Sequence, residues 1–319
     1  MVWRTVDGLR VQCLGDEIFD GNTSAPISGA TTALAFSSDG TRLVSGYADA
    51  SVIVWHLRSG KPLLRLDGHD RCVNDVTFSP DGSRIFTVSD DGSVKVWDAK
   101  SGWPICTFAL GSRVKRIVFS ASGCRLAAIL HDEVAIYDAG PLIVQLTVFK
   151  TNSGALRDVV ISPDGERTLI CDNNGIATIY RIDPWEELLQ LQGHSDQIRS
   201  VTFSPDGIEV VSGSYDGTLV GQSPETGDIY RKESIGSCGD AVAYSPNGAF
   251  LAAAGRNGDV VVWSAVSGEF IVSFETGVPH LAGLKWLPDS RRLLSYAAQG
   301  PLHLWSVGDV LRVHLEAEE

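Results

Sequence analysis

One five-residue phrase, an anchor residue followed by Ser-Pro-Asp-Gly or a close variant, recurs seven times along this chain of 319 residues. The anchors are Phe36, Phe78, Phe119, Ile161, Phe203, Tyr244 and Trp286. Successive anchors are separated by 42, 41, 42, 42, 41 and 42 residues. So regular a spacing over seven copies indicates a chain built by repeating one structural unit.

Within each unit the sequence predicts four short β-strands joined by turns. In the fifth unit, residues 201–203 lead into Pro205-Asp206-Gly207, where proline presets φ and glycine accepts a positive φ. The Tyr-Asp-Gly sequence at 215–217 then signals a tight hairpin. Third and fourth strands are clearest at 93–97 and 63–66 of other units. Such a small sheet is apolar on both faces, so each unit needs neighbours to be stable.

Three short motifs give the repeat a family resemblance. Gly68-His69 and Gly193-His194 each stand nine residues before an anchor, and Val96-Trp97-Asp98 ends a third strand. With the 41–42-residue spacing, these motifs resemble the WD40 repeat over residues 31–307. The resemblance implies an all-β fold, a seven-bladed WD40 β-propeller of four-stranded antiparallel blades. A closed ring of this kind hides the edges of its sheets.

The resemblance also implies a hydrogen-bonded tetrad of His, Ser or Thr, Asp and Trp inside a blade. The second repeat carries all four members: His69, Thr87, Asp91 and Trp97. The fifth repeat carries His194, Ser212 and Asp216, and has Gln222 in place of the tryptophan. Although a His–Asp pair can serve catalysis, we interpret both sets as structural, because buried polar groups must be paired.

The two ends of the chain offer two candidates for one position in the last blade. We expect residues 1–319 to form a single propeller, with the seven repeats at 31–307 and a loop at 15–30. Residues 1–14 are a candidate ring-closing outer strand, and 308–319 are either the last strand or a tail. The strand-like segments 9–14 and 310–315 therefore compete, and the sequence does not decide between them.

Composition and motifs narrow the function classes. The chain has 26 basic and 39 acidic side chains, a net charge of −13, which argues against a basic surface for nucleic acid. Nucleotide-binding, hydrolase, zinc and calcium motifs are absent from the sequence, and its six cysteines are scattered. We therefore expect no enzyme activity, no cofactor, no metal and no nucleic-acid partner. The sequence has neither a signal peptide nor a stretch long enough to span a bilayer, which predicts a cytoplasmic protein with no membrane partner and leaves a nuclear location open.

A group of cations recurs at one position of the repeat. In a WD40 blade, the positions four residues before the anchor and just before the hairpin Asp face the narrow top opening. Here the first position holds Lys115, Arg157 and Arg199 in three consecutive repeats, and the second brings His131, Tyr215 and Arg256 beside them. We call these six residues the basic crescent. They either bind an acidic or phosphorylated segment or are ordinary solvated side chains that balance the turn aspartates.

The sequence thus predicts a non-catalytic scaffold that binds a protein or peptide on its top face, as a monomer or as a subunit of a multiprotein complex. The alternative is the sensor or regulatory propeller of a larger signalling ATPase or kinase.

Overall fold

The computed structural model of the chain describes residues 2–6, 9–14, 30–140, 142–150, 156–297 and 302–307. These residues form β-strands joined by turns and short loops. The N-terminal strands and those of blades 1 to 3 are β1 (Val2–Val6), β2 (Leu9–Leu14), β3 (Thr31–Phe36), β4 (Arg42–Tyr47), β5 (Val52–His56), β6 (Lys61–Arg65), β7 (Val73–Phe78), β8 (Arg84–Ser89), β9 (Ser93–Asp98), β10 (Pro104–Ala109), β11 (Arg116–Phe119), β12 (Arg125–Ile129), β13 (Glu133–Asp138) and β14 (Val144–Lys150). The strands of blades 4 to 7 are β15 (Leu156–Ile161), β16 (Arg167–Asp172), β17 (Ala177–Arg181), β18 (Glu186–Leu191), β19 (Ile198–Phe203), β20 (Val210–Ser214), β21 (Thr218–Gln222), β22 (Ile229–Ser234), β23 (Gly239–Tyr244), β24 (Phe250–Gly255), β25 (Asp259–Ser264), β26 (Phe270–Glu275), β27 (Leu281–Trp286), β28 (Arg292–Ala297) and β29 (Leu302–Ser306).

Six of the blades are four-stranded antiparallel sheets in which the strands follow chain order from the inside outward. The first strand of each blade lies beside the first strand of the next, and β27 of blade 7 lies beside β3 of blade 1. The ring is therefore closed. The predicted all-β, seven-bladed propeller of four-stranded antiparallel blades is confirmed.

Blade 7 is completed from the other end of the chain. β2 pairs antiparallel with β29, with Gln12 opposite Leu304 and Leu14 opposite Leu302, and β1 pairs with β2 as a fifth strand. Of the two segments that compete for this position, 9–14 occupies it in the structure, whereas 310–315 lies outside the described residues, as does most of the 15–30 loop. Hydrogen bonds, not the covalent chain, thus join the two ends of the ring.

The hydrophobic core lies between blades. One cluster combines Phe86 and Val96 of blade 2 with Leu126 and Tyr137 of blade 3, and equivalent clusters fill the other described blade interfaces. The ring of Phe86 also meets the anchor Phe119 edge-on, with centroids 4.9 Å apart. Each sheet therefore buries its two faces against its two neighbours, as the apolar character of both faces requires.

The recurring Ser-Pro-Asp-Gly phrase forms the turn from the first strand to the second. In blade 2, Ser79 Oγ donates to Asp81 Oδ1 at 2.5 Å, and Gly82 N donates to Ser79 O at 2.8 Å. Gly82 has φ +69°, in the left-handed region that costs glycine little. The last repeat has Ser290 at this position, and it adopts the same conformation with φ +56°. The turn aspartates are thus engaged locally.

Arginine stands six residues after the anchor in five repeats, and in blades 1 and 2 it bridges to the next blade. Arg42 Nη1 donates to Ala99 O at 2.5 Å, and Arg84 Nη2 donates to Ala139 O at 3.0 Å. Both carbonyls lie two residues beyond the aromatic residue of the next blade's third strand. These bonds tie the second strand of one blade to the outer part of its neighbour.

Blade 5 is also bridged to the next blade by an arginine, but from a different position in the repeat. It has Glu209 at the arginine position, and Arg231 of β22 donates to both oxygens of Glu209, at 2.9 and 3.0 Å. The same guanidinium donates to Ala265 O of blade 6 at 2.6 Å, and Ala265 is the counterpart of the carbonyls that Arg42 and Arg84 reach. Gly221 leaves room for this pair, because a Cβ there would lie 2.1 Å from Glu209 Oε1.

Candidate functional site

The structure brings the four tetrad residues of blade 2 within hydrogen-bond distance. His69 Nδ1 lies 2.7 Å from Asp91 Oδ2, His69 Nε2 lies 2.7 Å from Thr87 Oγ1, and Trp97 Nε1 donates to the same Oγ1 at 2.9 Å. Burial lowers the pKa of His69, outweighing the carboxylate of Asp91. Burial opposes the ionisation of Asp91, but bonds from Ser93 and His69 outweigh it and lower the Asp91 pKa to about 2. A neutral imidazole therefore donates to a carboxylate and accepts from a hydroxyl.

Blade 5 repeats most of this arrangement. His194 Nδ1 lies 3.0 Å from Asp216 Oδ2, and His194 Nε2 lies 2.9 Å from Ser212 Oγ. Gln222 does not join the network; its amide donates to Gln192 O at 2.7 Å and Gly227 O at 3.0 Å. The side chains of His69 and His194 are 1% and 3% exposed, so a substrate cannot reach either histidine.

The basic crescent divides into two groups on the top rim. In the first group, Lys115 Nζ lies 3.4 Å from His131 O and 3.5 Å from Leu156 O, so it bridges blades 3 and 4 through backbone carbonyls. Burial lowers the pKa of Lys115, and the charges of Arg157 and Arg113 lower it further. Arg157 is exposed, and its Nε donates to Asn173 Oδ1. His131 is exposed next to Lys115.

The second group is built around the ring of Tyr215. The guanidinium carbon of Arg199 lies 5.0 Å from the ring centroid, and that of Arg256 lies 5.5 Å from it. Cation–π attraction thus holds two guanidinium groups of blades 5 and 6 against one ring.

Two residues that the sequence did not single out complete this second group. Asp240 Oδ1 lies 3.8 Å from Arg199 Nε, and Arg256 Nε donates to His280 Nδ1 at 3.2 Å. Burial raises the pKa of Asp240, against the charges of Arg199, Arg256 and His280. Asp240 occupies the same repeat position as Lys115 and Arg199, so the repeat register gives its place, whereas His280 shares no repeat position with the other histidines.

Trp103 and Trp185 lie in loops between third and fourth strands, on the opposite face, and they differ in their exposure. Trp185 stacks on Phe149, with ring centroids 3.4 Å apart, and on Tyr180 at 4.6 Å, so it covers the edge between blades 3 and 4. Trp103 is 74% exposed and stacks on no other aromatic ring within the described part of the chain.

Two negative observations concern the described ranges. No cluster of three or more His, Cys, Asp or Glu side chains there is arranged to hold a metal ion. No helix in the same part of the chain has the length and apolar character needed to cross a membrane.

Comparison with known proteins places the fold. Residues 16–56, 60–98, 185–220 and 237–264 match the family model described as WD domain, G-beta repeat. The crystal structure of the Cps50 (Swd1) β-propeller domain from Myceliophteria thermophila is similar to 89% of this chain, covering 98% of that domain, with a TM-score of 0.75. The identity is 19%, so this likeness is evidence about the fold alone.

Curated relatives match parts of the chain. It is 30% identical over 167 residues to Actin-interacting protein 1 from Drosophila melanogaster, over 50% of this chain and 27% of that protein. It is 28% identical over 188 residues to the Serine-threonine kinase receptor-associated protein from Dictyostelium discoideum, over 58% of this chain and 62% of the relative. The matches span less than two thirds of either relative. The resemblance noted in the sequence is confirmed: four segments of this chain match the WD40 repeat, and its fold is that of a WD40 β-propeller.

Proposed function

We propose that this chain is a non-catalytic interaction scaffold that binds an acidic or phosphorylated protein segment on its top rim. The names of two relatives, an actin-interacting protein and a receptor-associated protein, describe association with other proteins. An interaction role for this chain agrees with those names. The alternative of a regulatory propeller within a larger signalling enzyme stays a prediction, as do the cytoplasmic location and the oligomeric state.

The observation that carries this proposal is the arrangement around Tyr215. Arg199 and Arg256 lie 5.0 and 5.5 Å from its centroid, so both guanidinium groups are held in place before a ligand arrives. Binding then costs less side-chain entropy than ordering two free arginines would. Planar guanidinium groups are suited to carboxylate and phosphate oxygens, which they bind through paired hydrogen bonds.

Unused hydrogen-bonding capacity also favours an anionic ligand here. Arg199 Nε is buried and has no hydrogen-bond partner among the described residues, since Asp240 lies 3.8 Å away. A buried donor without a partner carries an energetic cost that an acceptor oxygen would remove. The Lys115 group adds cations close together, and their mutual repulsion would fall when an anion binds.

The test compares peptide binding to the wild-type chain and to the Lys115→Glu, Arg157→Glu, Arg199→Glu variant. The probes are fluorescent hexaglutamate and phosphoserine peptides, with an uncharged Gly-Ser peptide as reference, measured by anisotropy. We expect both anionic peptides to bind the wild type, more weakly at higher salt because the attraction is screened. The variant should lose about tenfold or more in affinity, the equivalent of about 1.4 kcal/mol or more.

A matched control distinguishes the effect of the rim cations on affinity from the effect of total charge. Arg58→Glu, Lys61→Glu, Lys100→Glu makes the same change in net charge at three exposed positions outside the crescent. Its affinity should stay within about twofold of the wild type. Equal losses in the two variants, or no binding of either anionic peptide to the wild type, would contradict the proposal.

A further inference from the structure

The inner wall of the propeller carries a second group of charges, separate from the rim. Three residues before the anchor, on the first strands of blades 2, 3 and 4, stand Asp75, Arg116 and Asp158. Arg116 Nη1 lies 2.7 Å from Asp158 Oδ1, and Arg116 Nε lies 3.9 Å from Asp75 Oδ2. The first strands form the innermost ring, so this chain of charges lines the central channel.

Blade 7 contributes two more polar groups to the same place. Its residue three before the anchor is Gly283, where a Cβ would lie 2.7 Å from the hydroxyl of Tyr296, so that hydroxyl occupies the space a side chain would fill. Lys285 follows two residues later, on the same face of β27. Burial lowers the pKa of Lys285 and raises that of Tyr296, and the charges of Asp75, Arg116 and Asp158 also act on both pKa values. Because blade 7 does not adjoin blades 3 and 4, these interactions pass through the channel.

The two carboxylates are already engaged by the protein. Asp75 accepts bonds from the backbone N–H groups of Val76 at 2.9 Å and Ile117 at 3.0 Å. Asp158 accepts them from Val159 at 2.8 Å and Val201 at 3.1 Å, in addition to its contact with Arg116. In this way the aspartates pair N–H groups of their own strands and of the next blade.

The donors, by contrast, are largely unused. Lys285 and Tyr296 make no side-chain hydrogen bond within the described part of the chain. Arg116 has five N–H groups, of which only those of Nη1 lie within hydrogen-bond distance of a carboxylate, since Nε is 3.9 Å from Asp75. The side chain of Arg116 is 36% exposed, so the channel admits small solutes to this point. Two carboxylates against one guanidinium and one ammonium leave the group formally neutral, so an incoming anion meets no net repulsion.

We infer that the channel is a binding site for a carboxylate or phosphate group, held by Arg116, Lys285 and Tyr296. Arg116 lies on blade 3, and Lys285 and Tyr296 lie on blade 7, so in this inference one anion accepts from donors of both blades. The group comes either from a free small anion or from an acidic side chain of a protein segment bound at the rim. The site stands apart from the basic crescent and would exist without it.

Chemical labelling of lysine tests this site with acetate, inorganic phosphate and hexaglutamate as probes, at constant ionic strength set with chloride. Acetylation by an N-hydroxysuccinimide ester requires the neutral amine, which a bound anion both covers and disfavours. The rate at Lys285, read by mass spectrometry, should fall about tenfold at a probe concentration about ten times its dissociation constant. The exposed Lys61 of the same molecules serves as internal reference and should keep its rate.

Two variants make the result specific. Tyr296→Phe removes one donor but keeps the ring. About ten times more probe should then be needed for the same protection of Lys285. Protection by acetate or phosphate that persists in the Lys115→Glu, Arg157→Glu, Arg199→Glu variant identifies a free anion as ligand. Protection by hexaglutamate alone, lost in that variant, identifies an acidic side chain. Unchanged labelling of wild-type Lys285 with all three probes, or equal protection in Tyr296→Phe, would overturn the inference.

Discussion

A neutral histidine lets the blade 2 network satisfy each of its polar groups. Trp97 donates to the Thr87 hydroxyl, that hydroxyl donates to His69 Nε2, and His69 Nδ1–H donates to Asp91. Each group thus has a partner of the opposite kind, and burial keeps the imidazole uncharged by lowering its pKa. This hydrogen-bonded network contains the residue types of a catalytic relay. Because it is buried, it contributes to stability.

We predict that His69→Ala lowers the free energy of unfolding by about 1–3 kcal/mol, because it removes a hydrogen-bond partner from the partly buried carboxylate of Asp91 and from the buried Thr87 hydroxyl. Urea denaturation measures the change. His56→Ala is the matched control, since the imidazole of His56 bonds to Ser59 of its own turn. Equal denaturation midpoints for the wild type and His69→Ala would refute a stabilising role for the network.

At the scale of elements, the arginine bridge between blades depends on where the guanidinium group lies in the structure. The arginine that supplies it can come from different positions of the repeat. Blades 1 and 2 place an arginine at the start of the second strand, whereas blade 5 supplies the guanidinium from its fourth strand. Glu209 at the usual position becomes the partner of Arg231, and the hydroxyl of Tyr244 donates to the same carboxylate. The acceptor, a carbonyl of the next blade, is unchanged.

Arg231→Ala should cost about 3–5 kcal/mol of unfolding free energy, because it leaves Glu209 buried without its counter-ion. The double variant Glu209→Arg, Arg231→Thr returns the arginine to the repeat position and should recover most of that loss. Thermal and urea unfolding of both proteins measure the difference.

Arg292→Ala is the control. Arg292 holds the repeat position that Glu209 occupies in blade 5, but it pairs with a half-exposed Asp289. Its cost should be about 0–1 kcal/mol. A double variant no more stable than Arg231→Ala would show that the bridge to Ala265 O is not what Arg231 supplies.

At the scale of the whole molecule, one hydrogen-bonded seam closes the ring. β2 covers the edge of β29, so the N-terminal strand and the last repeat stabilise each other although they are far apart in sequence. An uncovered β29 would present unpaired N–H and C=O groups to solvent and to other molecules.

Removing residues 1–14 should therefore lower the melting temperature by roughly 5–10 °C, as a loss of about 3 kcal/mol would, and increase aggregation on heating. Differential scanning calorimetry and light scattering measure both effects. Removing residues 308–319, the other candidate for the blade 7 position, should have the smaller effect. The reverse order would mean that the C-terminal segment closes the ring.

Much of the fold could be predicted because its contacts are local. The spacing of the anchors gave the number of blades, and strand alternation within each unit gave the sheets. His69, Thr87, Asp91 and Trp97 lie within 29 residues, on strands whose register one blade fixes, so the family pattern was sufficient to bring them together. The rim cations and Asp240 also followed from the register, but His280, which pairs with Arg256, did not.

What the sequence determined by itself is the repeating unit: its length, its four strands, its turns and the polar residues that a single blade pairs. The tertiary structure alone decided which strand fills blade 7, how blade 5 bridges to blade 6, and that Arg116 of blade 3 shares a channel with Lys285 and Tyr296 of blade 7. The physical reason is the distance, along the chain and in space, between the residues that make each contact. Contacts inside a blade depend on hydrogen-bond register along neighbouring strands, whereas contacts across the ring depend on the angle at which all seven blades pack and close.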